Sequence, residues 1–90
     1  MTRYRLQISP KAEKELAAIR VKKDLLRLQA ALYKLAKTPR PPGCANMVGA
    51  ENQWRIRVGD WRVIYAVQDG ALVVLVVTVA VRGGGLVELG

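Results

Sequence analysis

Histidine is absent from this 90-residue chain, and cysteine occurs once, at Cys44. A Cys–His catalytic pair is therefore impossible, and a lone thiol can close no internal disulfide. Such cysteine usage suits a reducing compartment. Acidic residues are scarce as well, seven Asp and Glu against fifteen Lys and Arg, which leaves a formal charge of +8. A long apolar run is also missing. The longest, ALVVLVVTVAV from Ala71 to Val81, is about half the ~20 residues of a membrane-spanning helix, so no membrane partner is expected. The opening MTRYRLQISP has no apolar core of signal-peptide type, which points to a cytoplasmic chain.

What is present argues for a folded globule. Half of the residues, 51%, are hydrophobic, and a chain of this length has room for a single domain, residues 1–90, burying roughly 60–65% of its unfolded surface. The excess of positive charge favours a polyanion or an acidic protein as partner.

The alternation in YRLQI, Tyr4 to Ile8, reads as a first strand. Ser9-Pro10 supplies an N-cap and a proline at the first helical position, and Ala12, Leu16 and Ile19 carry a helix to about Arg20. A second helix follows from about Val21 to Lys37, with Leu25, Leu28, Leu32 and Leu35 as its inward stripe. The short link predicts that the two helices fold back as a hairpin. Thr38 to Gln53 begins with TPRPPG and shows no period, so it reads as a loop. Three strands come next, turning at Gly59-Asp60 and at Asp69-Gly70. The order predicts an α+β fold: an N-terminal strand and a helical hairpin packed on one face of a small, mainly antiparallel four-stranded sheet.

The segment WRIRVGDWRVIY threads arginines through strands needed for the core. A turn at Gly59-Asp60 pairs Val58 with Trp61, Arg57 with Arg62 and Arg55 with Ile64. Opposed and alternate residues share a face, so Arg55, Arg57 and Arg62 converge on one side. Trp54, Ile56, Val58, Trp61, Val63 and Tyr65 point to the other, onto the helices. Like charges set directly opposite cost roughly a few tenths to 1 kcal/mol. A solvated face would more naturally alternate signs, so an anion site is the better reading. With Asp69-Gly70 as the second turn, Ala66 pairs with Val73, Ile64 with Leu75 and Arg62 with Val77. The arginines then run into an apolar strip of Ile64, Ala66, Val73, Leu75 and Val77 that the helices leave uncovered, as expected of a protein-binding surface.

These residues carry a likeness. Two N-terminal helices, a proline-containing loop and WRIRVGDWRVIYAVQDGALVVLVVTVAVR together resemble the RelE/ParE toxin superfamily of type II toxin–antitoxin modules, most specifically over Trp54 to Arg82. The resemblance implies a RelE-like fold and a cognate antitoxin that holds the toxin inactive. Members similar to RelE cut mRNA on the ribosome; members similar to ParE poison DNA gyrase. The RelE pattern has basic residues at positions matching Arg55, Arg57, Arg62 and Arg82. It also often has a Tyr or His about six residues beyond the last arginine, and that count lands on Glu88.

The implied reaction is attack of an RNA 2′-hydroxyl on the adjacent phosphate, with no cofactor or metal. Arg62 and Arg82 would clamp the phosphate, Arg55 and Arg57 would orient the backbone, and Glu88, Asp60 or the ribosome would supply the base. Lys23, Arg27 and Lys34, off the apolar stripe of the second helix, are further candidates for RNA contact. The antitoxin would cover Ile64, Ala66, Val73, Leu75 and Val77. Two alternatives stay open: a gyrase poison, which needs no acid or base, and an inactive relative acting only in a toxin–antitoxin complex on operator DNA.

Overall fold

Ser9 begins the first helix as the sequence requires. Its backbone is extended (φ −65°, ψ 157°), and its Oγ accepts a hydrogen bond from the Ala12 N–H at 3.1 Å while Pro10 takes the first turn. The computed structural model describes residues 3–47, 49 and 52–81. Strand β1 (Arg5–Ile8) leads into helix α1 (Pro10–Ala17), and helix α2 (Lys22–Lys37) follows. Then come β2 (Ala45–Asn46), β3 (Gln53–Val58), β4 (Trp61–Gln68) and β5 (Val73–Val81). Among the described residues no helix is long and apolar enough to cross a membrane.

Helix α1 stops at Ala17, short of the expected Arg20. The Ala18 and Ile19 N–H groups bond back to Glu15, Lys14 and Leu16, tightening the last turn. On α2, Leu28, Leu32 and Leu35 are buried as the stripe predicts. The two helices cover one face of the sheet, as expected, and share one core in which Ala12 of α1 clusters with Leu28 and Leu32 of α2. Helix α1 rests on β5, and α2 lies across β1, β3 and β5.

One sheet carries all the strands, in the order β1-β5-β4-β3-β2, with β1 parallel to β5 and the other pairs antiparallel. It has five strands where four were expected. The addition is β2, two residues inside the supposed loop, with Ala45 opposite Arg55 and Asn46 opposite Trp54. Two residues are too few to show a period.

The first hairpin has the expected register, Val58 with Trp61, Arg57 with Arg62 and Arg55 with Ile64. Gly59 takes φ +62° at its tip, as a glycine-first two-residue turn requires. The second hairpin does not follow expectation. Its turn runs over Asp69 to Leu72, so Val73 pairs with Gln68 rather than Ala66, and Leu75 with Ala66 rather than Ile64. A β-bulge then falls beside Ile64 and Tyr65: Val76 pairs with Tyr65 and Thr78 with Ile64, leaving Val77 without a cross-strand partner on β4. Arg62 accordingly faces Ala80, not Val77. The bulge also switches the face of later residues, which sends Val79 into the core.

Tyr65, Val63, Val67, Val74, Val76, Val79 and Ile56 meet Ala12, Leu28, Leu32 and Leu35 in one cluster between sheet and helices. Trp54 and Trp61 flank it, half-buried. By alternation, the arginines occupy the opposite, outer face.

Candidate functional site

Alternation along β3 and β4 places Arg55, Arg57 and Arg62 together on the outer face, with Arg57 and Arg62 directly opposed. Arg57 is exposed, while Arg55 and Arg62 are half-buried. The ion pairs among the described residues, Lys11–Glu15 and Arg40–Asp69, involve none of these three. Three arginines thus share one face of the hairpin with no ion pair to a carboxylate among the described residues. Such a group binds a phosphodiester readily, because the arginine fork matches phosphate oxygens and the local field is uniformly positive.

An open cleft of about 430 Å³ gives the patch its shape. Arg55, Ile56 and Arg57 of β3 line one side, and Pro42, Gly43 and Ala45 line the other. Gly43 has φ +92°, and the Cys44 N–H closes the turn onto Pro41 O at 3.1 Å. Sequence reasoning missed this wall. The TPRPPG stretch reads only as the start of a loop, and the β2–β3 pairing shows that it returns to the arginines.

The hairpin tip is braced from the core side. Trp61 Nε1 donates to Asp24 Oδ2 at 3.2 Å, and the Arg27 guanidinium lies over Gly59, where an added Cβ would stand 3.1 Å from its Nη1. Of the three α2 cations proposed for RNA contact, Arg27 alone is seen to reach the arginine hairpin. Lys23 and Lys34 are exposed on the helical layer, across the sheet from the cleft, and Lys34 belongs to the helix end that meets Tyr4 through Ala36 O. Arg82 and Glu88 lie outside the described residues. The alternation of β5 brings Thr78 and Ala80 to the arginine face.

Among the described residues that line the cleft there is no carboxylate, imidazole or phenol. Burial pushes the Tyr65 phenol above its ordinary pKa, the neighbouring Cys44 adding to the effect, and the hydroxyl donates to Pro39 O at 2.7 Å. The Asp69 carboxyl is held below the ordinary carboxylate range, first by its hydrogen bond from Arg40 and then by one from Tyr4. That same bond to Asp69 raises the Tyr4 phenol. Among the described residues no group of His, Cys, Asp and Glu could hold a metal ion.

The apolar strip is present with one member changed. Ile64, Ala66, Val73 and Leu75 are half-buried on the outer face, with Leu75 opposite Ala66. Val77 is the bulge residue and does not continue the row; Thr78 and Ala80 do. On β1 the row ends at Arg5 and Gln7, which pair with Val73 and Leu75.

Comparison with known proteins gives a consistent result. A family model described as the ParE toxin of the type II toxin–antitoxin system, parDE, matches residues 6–83. A chain of the archaeal RelE–RelB complex from Pyrococcus horikoshii OT3 superposes with a TM-score of 0.79 at 28% identity, covering 92% of this chain and 98% of that one. A chain of the toxin–antitoxin complex RelBE2 from Mycobacterium tuberculosis shares the fold at TM-score 0.78 and 17% identity, covering 90% and 100%. A chain of the intact E. coli RelBE toxin–antitoxin complex does so at 0.75 and 23%, covering 88% and 96%. No curated protein matches the sequence.

Proposed function

Because the chain belongs to the ParE toxin family of type II toxin–antitoxin systems, we propose that it is the toxin of such a module and acts as an mRNA endonuclease on the ribosome. The observation that carries this reading is the Arg57–Arg62 cross-strand pair beside Arg55, with no ion pair to a described carboxylate and with a cleft along its β3 side. Folding alone gives no reason to oppose two like charges. A phosphate between or above them does.

In the reaction an RNA 2′-oxygen attacks the adjacent phosphorus and the P–O5′ bond breaks, leaving a cyclic phosphate and a free 5′-hydroxyl. The 2′-oxygen loses a proton and the departing 5′-oxygen gains one. Negative charge accumulates on the phosphoryl oxygens, and arginine forks stabilise it most where they are held in advance. Arg62 serves that role here, with Arg82 as the second clamp the resemblance implies; Arg55 orients the backbone, and Arg57, directly opposite Arg62, is placed to add to the clamp as well as to orient. Proton transfer supplied by Glu88, Asp60 or the ribosome adds ~10²–10⁴-fold. An antitoxin segment covers the Ile64, Ala66, Val73 and Leu75 strip and neutralises the arginines.

The test is cleavage of mRNA on programmed ribosomes, read by primer extension. Arg62→Ala should lose at least tenfold, and unchanged cleavage removes the assignment. The second reading is a gyrase poison, favoured by the match to the ParE toxin family model. Intact message together with inhibited supercoiling would select it.

A further inference from the structure

The segment that walls the cleft is tied down just before it reaches the cleft. Tyr65 donates its hydroxyl to Pro39 O at 2.7 Å. The next residue, Arg40, forms a forked pair with Asp69, Nη2 to Oδ2 at 2.7 Å and Nη1 to Oδ1 at 3.3 Å. Its guanidinium carbon lies 5.3 Å from the centroid of the Trp54 ring, within cation–π range. The Tyr4 hydroxyl donates to the same Asp69 Oδ1 at 2.6 Å. Two residues beyond Arg40, Pro42 and Gly43 become the cleft wall, and Ala45 settles opposite Arg55. Trp54 is the chain neighbour of Arg55. Arg40 therefore refers the wall to the very strand that carries the cleft arginines.

We propose that Arg40 is a positioning residue for the arginine cleft: its ties to Asp69 and Trp54 hold Pro42, Gly43 and Ala45 against Arg55 and Arg57, and so set the width of the groove that receives an RNA backbone. The inference rests on the nucleic-acid reading of the cleft. Arg40 acts through the loop and not by touching phosphate. Two of its N–H groups are taken by Asp69 and one face lies on an indole, so it is the one cation near the site whose charge is already answered within the described chain.

Positioning and direct contact predict opposite signs. Asp69→Asn removes one negative charge, taking the formal net charge from +8 to +8 + 1 = +9, and releases Arg40. If Arg40 were a phosphate contact held in check by Asp69, the variant would bind polyanion more tightly. If Arg40 holds the wall, the variant binds more weakly.

The experiment titrates the full chain with a short single-stranded RNA, read by fluorescence anisotropy over a range of salt, alongside amide hydrogen exchange of the free protein. Asp69→Asn and Arg40→Lys should each weaken binding about threefold to fivefold, the scale of an exposed but networked ion pair. Their salt slopes should match the parent, because no phosphate contact is lost, whereas Arg57→Gln should lower the slope by about 0.7. Exchange over residues 43–47 should quicken in Asp69→Asn, with Val63 and Tyr65 unchanged. Equal or tighter binding by Asp69→Asn, a reduced slope in Arg40→Lys, or unaltered exchange overturns the proposal. If the parent chain binds no RNA and Arg57→Gln changes nothing, the nuclease reading fails; exchange then decides alone whether Arg40 holds the wall.

Discussion

Replacing Arg62 with methionine should make the protein more stable and less active in one step. Arg62 sits directly opposite Arg57 and diagonal to Arg55, with no described carboxylate paired to any of them. Opposed residues of an antiparallel pair have Cβ atoms ~4.5–5.5 Å apart, and guanidinium groups that splay to about 8 Å still repel by ~0.5 kcal/mol at the dielectric of water. Cross-strand like-charge pairs cost a similar few tenths to ~1 kcal/mol. Methionine removes the charge and keeps an unbranched stem on the outer face opposite Ala80, so little packing is lost. A domain of this size shifts its Tm by roughly 4–8 °C per kcal/mol, so the variant should melt about 2–5 °C higher at low salt. Raising NaCl to about 0.5 M should shrink the gain, because screening already relieves the parent. Ribosome-linked cleavage should meanwhile fall at least tenfold, as one preorganised donor is typically worth ~2.7–4 kcal/mol in the transition state. The assays are calorimetry at two salt concentrations and primer extension on the same preparations. A lower Tm, a salt-independent gain or undiminished cleavage would show that these arginines are not held together at a cost in stability for the sake of an anion.

Three further substitutions probe separate parts of the structure. Gly59→Ala puts a Cβ at φ +62° under the Arg27 guanidinium; the side chain can yield, the backbone cannot, and urea denaturation should show a loss of ~1–2 kcal/mol that persists with Arg27 truncated. Tyr65→Phe leaves Pro39 O without its hydroxyl donor and should cost ~1 kcal/mol. The phenol of Tyr65 titrates above its ordinary pKa of 10.0 in the fold, so its contribution is complete below that value and is lost as pH rises through the raised one. The parent should therefore lose its margin over Tyr65→Phe in alkali, and a constant difference would contradict the burial argument. Leu75→Asp, on the half-buried outer strip, should leave the melting curve within about 1 kcal/mol yet weaken capture by the co-expressed antitoxin at least thirtyfold by calorimetric titration, the scale of a central interface residue.

The elements differ in how far their residues determine them. The first hairpin could be read in full because polar arginines and apolar core residues alternate along it, and a slip of one residue would bury the charges. Strand β5 offers no such phase. VVLVVTVAV is apolar on both sides, so its register is decided by what lies around it. β1 ends at Ile8, beyond which Ser9 Oγ donates to Val77 O at 2.9 Å and the Val79 N–H donates to Glu15 Oε1 at 2.8 Å. Those bonds, together with the core, set the bulge. The second turn was misplaced for a related reason. Asp69-Gly70 is a good local hairpin signal, but the chain extends the turn to Leu72 and accepts a leucine at φ +56°. The Arg5 N–H to Leu72 O bond at 2.7 Å fastens that residue, and Arg40 and Tyr4 claim the Asp69 side chain. Local turn chemistry yielded to partners 29 and 65 residues away.

The site divides along the same line. Its charge was readable, because opposition of Arg57 and Arg62 follows from turn position and strand parity alone. Its shape was not. The wall beside Arg55 and Arg57 is made by residues whose only local signal is proline and glycine, and it follows a segment tied by a salt bridge to Asp69 and a ring contact with Trp54, partners 29 and 14 residues away. Charge without shape attracts any polyanion, and shape without charge attracts none. If RNA-cutting and gyrase-directed toxins share this fold, as the resemblance to the RelE/ParE superfamily implies, they can keep one basic hairpin and differ in the loop before β2. On that argument, exchanging residues 38–46 for the corresponding loop of a gyrase-directed relative should change the groove's selectivity more than exchanging any single arginine for lysine. Comparison of RNA and duplex DNA affinities for the two variants would decide it.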